Sequence, residues 1–263
     1  MRILIRTSKW AIWARRFGSL AVPLTVVPVL LHREQFIVSA DFAVVESVAA
    51  GVATLALLLG LSAYVRLWIT GDQGWGKATW GLFFALICLA PFGYLGLQAV
   101  RYPLVNEVAT NFGDPLPLSS SIRVVPTGAP LQQLIATTFP NARTRTYPID
   151  ATQMFATVED LVDQRGWDVR TRREPPTALD TGQLNAISVS IFGFRDEVAI
   201  RVGGTPSGST VDMRSVPLGG FHDFGENGKR VEEFMLALDQ KITLLLRDAP
   251  VTPTGEADEP AAQ

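Results

Sequence analysis

The sequence predicts a helical membrane anchor of three apolar runs, followed by an α+β domain of two layers in which a mainly antiparallel sheet packs against helices. Long apolar runs fill most of the first 100 residues, and much of the remainder alternates between apolar and polar residues. The charge divides in the same way: residues 1–100 carry eight Lys/Arg and four Asp/Glu (net +4), whereas residues 101–263 carry fifteen and twenty-one (net −6). Such asymmetry indicates a membrane half and a soluble half.

The predicted anchor, residues 1–100, contains three apolar runs at 17–31, 42–65 and 78–100. The second and third runs are long enough to cross a bilayer, which takes about 20 residues. The first run has only fifteen residues and contains two prolines. Three interpretations of it therefore stay open: a retained span, a cleaved signal peptide with its processing site near Ala40, or an interfacial helix.

Two features of the anchor raise a transport hypothesis, and a simpler interpretation is favoured for both. Glu46 is the single charge in the second run, and its position near one end of the run predicts solvation by lipid headgroups. Two pairs of glycines, Gly51 with Gly60 and Gly93 with Gly96, are expected at close helix contacts rather than in a pore.

The distribution of basic residues predicts the orientation of the anchor. Five Lys/Arg precede the first run, and Arg33 alone lies in the loop after it, so the N-terminus is expected in the cytoplasm. Three crossings would then place residue 101 onward on the far side of the membrane, which for the inner membrane of a bacterial cell envelope is the periplasmic side. A cleaved signal peptide would leave the domain on that same side.

The soluble part divides into three predicted segments. Residues 101–126 are rich in Pro and Ser and read as an extended linker along the domain surface. Residues 127–248 form the folded domain. Residues 249–263 carry three acids and three prolines without a large aromatic residue, which predicts a disordered acidic tail.

Periodicity and helix-capping signals predict the elements of the domain. Apolar residues recur at helical spacing after Asp150 and again after Gly225, and they alternate in the stretches between. In chain order the predicted elements are a short helix at 131–139, a strand at 142–149, a helix from its N-cap Asp150 to Gly166, strands at 168–173 and 182–192, a hairpin with arms at 198–202 and 211–216, and a last helix at 225–247.

Polar residues at fixed offsets mark the hairpin and the loop that follows it. Asp196 and Glu197 precede the first arm, the second arm contains Val211-Asp-Met-Arg-Ser215, and Gly220-Phe-His-Asp-Phe-Gly-Glu-Asn-Gly-Lys-Arg230 leads into the last helix. With these motifs, residues 102–247 resemble DUF1499, a family of unknown function with membrane-anchored bacterial members. The resemblance implies a domain but no activity. Two positions depart from the family's pattern: Glu197 replaces the usual second Asp, and Pro217-Leu218 replaces a frequent Ser-Arg.

The polar motif supplies the predicted ligand-binding residues. These are Asp212, Arg214, Ser215, Asp223, Asn227 and Arg230. A first hypothesis is a non-catalytic domain that binds an envelope protein or a small ligand through the loop 217–230. A second is an envelope hydrolase or isomerase that uses Asp223 and His222 of this loop as acid and base.

A third hypothesis makes the same residues structural. Asp212, Arg214, Asp223 and Arg230 would form one buried network that fixes the last helix on the sheet. Asp223 would also cap that helix, and Asn227 would bond to Arg230 one turn away. Charges on one face of the hairpin would stabilise it as a cross-strand ladder; they are Glu197, Arg201, Asp212 and Arg214.

Composition narrows the classes of partner. The acidic soluble half argues against nucleic acid as a partner, because binding its phosphates requires clustered Lys and Arg. The apolar runs predict the lipid bilayer as a partner, and the soluble domain is expected to meet an envelope protein or a small ligand. The single cysteine, Cys88, lies in an apolar run and excludes an intrachain disulfide. The domain has no Cys and one His, so we expect no catalytic residue, no metal site and no cofactor.

Overall fold

The fold is described from a computed structural model of the chain, for residues 6–120, 127–219 and 223–248. Some expectations fall outside these residues. They concern the basic residue Arg2, the last part of the linker (121–126), the motif residues Gly220 and His222, and the acidic tail 249–263.

Three long helices form the N-terminal bundle: α1 (Lys9–Arg33), α2 (Ser39–Thr70) and α3 (Trp75–Arg101). All three are long and apolar enough to cross a membrane. The first helix has 25 residues, ten more than the apolar run that predicted it, because it also takes in Lys9 to Arg16 at its start and His32 and Arg33 at its end. It packs against both α2 and α3, as a full member of the bundle.

Small residues set the closest contact in this bundle. A Cβ atom at Gly81 would lie 2.6 Å from the backbone carbonyl carbon of Ala14, and one at Gly18 would lie 2.6 Å from the Gly81 oxygen. Of the four predicted contact glycines, only Gly60 is close to a neighbouring helix; Gly51, Gly93 and Gly96 have open space around them. The prediction for those three was wrong, because a glycine pair in one helix does not reveal which face meets a partner.

Glu46 lies in the second turn of α2 and points into the bundle. Its side chain is 7% exposed, and its Oε1 atom has no hydrogen-bond partner. The expected exposure to headgroups is therefore not found, because the helices pack around this position more tightly than a position near the end of an apolar run suggests.

The described part of the domain contains a six-stranded antiparallel sheet and three helices, which confirms the predicted α+β class. The strand order is β1-β6-β5-β4-β3, and β2 also pairs with β6. The strands are β1 (Val108–Ala109), β2 (Arg145–Tyr147), β3 (Asp168–Arg173), β4 (Thr181–Val189), β5 (Arg195–Thr205) and β6 (Gly208–Pro217). The helices are α4 (Ala129–Thr138), α5 (Ala151–Gln164) and α6 (Glu226–Asp248).

The helices cover one face of the sheet and enclose the core. Asp150 accepts hydrogen bonds from the backbone N–H groups of Thr152 (2.9 Å) and Gln153 (3.0 Å), which confirms it as the N-cap of α5. Alternate residues of β5 and β6, such as Ile200 and Met213, are almost fully buried against α5 and α6. The predicted strand 182–192 ends earlier, at Val189, because residues 190–194 turn the chain back into β5.

Residues 110–120, here called the outer segment, cross the other face of the sheet. Asp114 pairs with Arg201 of β5 at 2.6 Å, and the Pro117 carbonyl accepts hydrogen bonds from Gln183 and Asn185 of β4. Leu116 is fully buried beneath it. The predicted linker is therefore built into the sheet's packing rather than lying along the domain surface.

Candidate functional site

Asp212 lies on the outer face of β6, where three donors surround its carboxylate. Its Oδ1 accepts hydrogen bonds from Thr110 (3.1 Å) and Thr144 (2.5 Å). Its Oδ2 accepts one from Arg201 (3.0 Å), the residue directly opposite it on β5. This pair is the cross-strand ion pair predicted for the hairpin.

Arg214, two residues further along β6, is held on the same outer face. Its Nε lies 2.7 Å from Glu107 Oε1, an ion-pair distance, although Nε–H makes no hydrogen bond. Its Nη1 donates to the Leu116 carbonyl at 2.5 Å. Arg214 therefore joins β6 to the segment that leaves the anchor. The residue directly opposite it on β5 is Ala199, so Arg214 has no charged partner directly across the hairpin.

Arg230 of α6 forms the centre of a second network, on the helix-covered face. Its Nη2 donates to Asp196 of β5 at 2.6 Å, and its Nη1 donates to Asn227 Oδ1 (2.6 Å) and Ser215 Oγ (3.0 Å). Ser215 in turn donates to Asn227 at 2.6 Å. Burial raises the pKa of the Asp196 carboxyl, and the charge of Arg230 opposes that rise.

Asp223 organises the start of α6. Its Oδ1 accepts from Gly225 N–H (3.0 Å) and its Oδ2 accepts from Asn227 N–H (3.1 Å). Both oxygens thus satisfy backbone donors that a helix start leaves without intrahelical partners. The predicted capping role of Asp223 and the Asn227–Arg230 hydrogen bond are confirmed.

The predicted site residues therefore divide into two groups on opposite faces of the sheet. Asp212 and Arg214 face the outer segment, whereas Ser215, Asn227 and Arg230 face α6 and β5, with Asp223 at the helix start. The single network of the third hypothesis is wrong in this respect, because successive residues of a strand point to opposite faces. Across the described residues, no group of three or more His, Cys, Asp or Glu could hold a metal ion.

Glu197 lies in a hydrogen-bonding environment that the sequence does not reveal. The side chain is fully buried and accepts hydrogen bonds from the N–H and hydroxyl groups of Ser119 and Ser120 and from Asn185. Burial acts to raise the pKa of this carboxyl, but these hydrogen bonds together outweigh burial and hold the pKa below its usual value. The two serines precede Glu197 by 78 and 77 residues, so no local pattern connects them.

The domain contacts the anchor through His32, which is 1% exposed. Its Nδ1 lies 2.6 Å from the Phe192 carbonyl and its Nε2 lies 3.0 Å from Ser39 Oγ. Because a carbonyl can only accept, Nδ1 carries the proton in this arrangement. The ring also stacks on Phe42 (4.4 Å between centroids) and meets the edge of Phe194 (4.9 Å).

Two further contacts fix this junction. Gln35 Nε2 donates to the carbonyls of His32 (2.8 Å) and Gly193 (3.0 Å). Gly193 has φ +86°, and a Cβ atom there would lie 2.6 Å from Arg33 Cα, so only glycine fits both the turn and the contact. Sequence analysis did not find this junction, because His32 and its partner are 160 residues apart.

An open cleft of about 440 Å³ lies beside this junction. Gln35 and residues 37–40 line it from the anchor, and Gly193, Arg195, Leu218 and Gly219 line it from the domain. Leu218 is held against β5 by the hydrogen bond from its N–H to the Arg195 carbonyl (2.9 Å). The cleft therefore includes the beginning of the loop 217–230, where the sequence predicted ligand binding.

Comparison with protein families shows which family the domain belongs to. The family described as "Protein of unknown function (DUF1499)" matches residues 107–238, about half of the chain. The chain belongs to this family. The DUF1499 match begins at Glu107, the partner of Arg214, so it includes the outer segment, the sheet, α4, α5 and the first part of α6. No curated protein matches the chain, and no solved structure does.

Proposed function

We propose that this chain is a membrane-anchored protein whose DUF1499 domain binds an envelope protein or a small ligand, without catalysing a reaction, on the periplasmic side of the inner membrane. The observation that carries the proposal is the open cleft where the domain meets the turn between α1 and α2. The His32 and Gln35 contacts hold both walls of this cleft in place. Concave sites where two parts of a protein meet are common places for ligand binding.

The contacts of the polar motif favour binding over catalysis. A general base needs an oxygen within reach of the substrate, but both carboxylate oxygens of Asp223 accept backbone N–H groups. Arg230 is paired with Asp196 at 2.6 Å. The other member of the proposed acid and base pair, His222, lies outside the described residues. The motif residues that the structure describes therefore hold the start of α6 in place, and these contacts favour the binding role over the hydrolase or isomerase alternative.

The arrangement of basic residues supports the periplasmic side. The chain before α1 pairs with the loop between α2 and α3 through Ser8 N–H to Gln73 O (2.9 Å) and Gln73 N–H to Arg6 O (3.1 Å). This end of the bundle carries Arg6, Lys9, Arg15, Arg16, Arg66 and Lys77. The opposite end, next to the domain, carries Arg33 and Arg101. Because basic residues concentrate on the cytoplasmic side, the domain is expected on the other side.

Paired reporter fusions after Asp248 test the location. Alkaline phosphatase is active only outside the cytoplasm, and green fluorescent protein fluoresces only inside it. We expect phosphatase activity without fluorescence, and the reverse pattern would refute the periplasmic assignment. The non-catalytic role would fail if the purified chain turned over a substrate and a folded Asp223→Ala variant did not.

A further inference from the structure

The cleft beside the junction combines three features that together specify a ligand. The first is its depth along the membrane normal. Residues 34–38 connect α1 to α2, two helices long and apolar enough to span a bilayer. As the turn between two spans, they belong at the level of the lipid headgroups. The cleft is lined by this turn and by the first residues of α2, and it therefore opens at that level.

The second feature is an unpaired positive charge. Arg195 lines the cleft and is half-buried. Within residues 6–120, 127–219 and 223–248, no hydrogen bond or ion pair engages its guanidinium, whereas Arg201, Arg214 and Arg230 each pair with a carboxylate. A guanidinium presents a planar set of donors that matches phosphate oxygens.

The third feature, here called the apolar rim, is a set of exposed apolar side chains on the two turns that contribute residues to the cleft. Phe36 and Val38 of the α1–α2 turn are 77% and 64% exposed, and Ile191 of the β4–β5 turn is 80% exposed. Large apolar side chains in water are unfavourable, but at a bilayer surface they lie among acyl chains.

We propose that this cleft binds a glycerophospholipid, with the lipid phosphate on Arg195 and the acyl chains along Phe36, Val38 and Ile191. A cleft of about 440 Å³ falls within the range of roughly 300–1,000 Å³ usual for small-molecule sites. A soluble anion would use the charge but not the rim, and a peptide would not need the position at the headgroup level. The inference rests on the proposed binding role, since it names the ligand of the same cleft.

Thermal unfolding of the full-length chain in detergent tests this assignment. Three probes are added in turn: dihexanoylphosphatidylglycerol, dihexanoylglycerol, which lacks the phosphate, and inorganic phosphate. We expect only the phospholipid to raise the melting temperature in a concentration-dependent manner, because only it uses both the charge and the rim. An equal rise with dihexanoylglycerol or with inorganic phosphate, or no rise with any probe, would overturn the assignment.

Two variants locate the effect at Arg195. Arg195→Gln should weaken the apparent affinity for dihexanoylphosphatidylglycerol by about tenfold or more, since charge-assisted hydrogen bonds are lost. Arg173→Gln, on the exposed edge strand β3, is the matched control and should retain the affinity of the unaltered chain. Equal affinity in Arg195→Gln would refute the assignment. If Arg195→Gln kept its affinity while the fusion after Asp248 showed phosphatase activity, the phospholipid assignment would be refuted and the periplasmic binding role would stand.

Discussion

Replacing Gly193 by alanine should detach the domain from the anchor, and Gly166→Ala provides a matched control. Both glycines have positive φ, +86° and +64°, so both substitutions cost about 1–2 kcal/mol of backbone strain. They differ in their surroundings: the new Cβ would lie 2.6 Å from Arg33 Cα at Gly193, whereas nothing lies within 4 Å of it at Gly166.

The magnitude of the difference follows from the junction. To relieve the overlap, the turn 190–194 must move away from α1, which breaks the hydrogen bonds of His32 to Phe192 and of Gln35 to Gly193. Each such bond contributes about 0.5–1.5 kcal/mol. The free energy of unfolding of Gly193→Ala should therefore fall by about 1–3 kcal/mol more than that of Gly166→Ala.

Urea unfolding of the full-length chain in detergent measures this difference, and hydrogen exchange locates it. Exchange should increase in residues 34–38 and 190–195 of Gly193→Ala and stay unchanged there in Gly166→Ala. If the two variants lost equal stability, or if exchange at the junction did not change, the domain would not be docked on the anchor as described.

Three further predictions concern the networks and the bundle. Arg230→Ala should lower the free energy of unfolding by about 3–5 kcal/mol, because it leaves the buried Asp196 carboxylate without its ion-pair partner. A loss below about 1 kcal/mol in urea unfolding would show that Arg230 is free to serve a ligand. Gly81→Ala should lower the melting temperature of the purified chain, because its Cβ would lie 2.6 Å from the Ala14 backbone. Gly93→Ala has open space around the new Cβ and should leave the melting temperature unchanged. Equal melting temperatures in the two variants would contradict the helix contact. The pKa of Glu197 is lower in the folded chain than its usual 4.5, so its contribution to stability is present above about pH 4.5 and is lost as the pH falls through the folded pKa. Acid should therefore destabilise the unaltered chain more than Glu197→Gln, as measured by urea unfolding between pH 3 and pH 6, and parallel pH profiles would count against the described hydrogen bonds.

Local patterns predicted most elements of the domain. The alternation in β5 and β6, the N-cap Asp150 and the apolar stripe of α6 each depend on residues a few positions apart, and each is present in the structure. The partners of the polar motif could not be predicted in this way. Arg214 Nη1 bonds to a carbonyl 98 residues before it, and strand alternation shows only that Arg214 and Ser215 point to opposite faces.

The sequence predicts only some of the residues that line the candidate cleft. Polar residues at fixed offsets predict that the loop 217–230 binds a ligand, and Leu218 and Gly219 at its start line the cleft. Arg195 was not singled out, because an arginine before an alternating strand has no distinctive pattern. The sequence does not predict that Gln35 and residues 37–40 of the anchor line the cleft. Hydropathy predicts that a segment enters the membrane, but it does not predict which soluble element contacts that segment.

The outer segment also determines the order in which the domain can fold. Thr110 is synthesised before its partner Asp212, which follows it by 102 residues, so the segment that leaves the anchor must wait for nearly the whole domain to emerge. Such long-range contacts slow folding, because the loop between them must close first. A chain truncated to begin at residue 127 would lack β1 and every outer-segment contact with β4, β5 and β6. The buried carboxylate of Glu197 would then be open to solvent at the centre of an uncovered sheet, and the isolated fragment should be prone to aggregate.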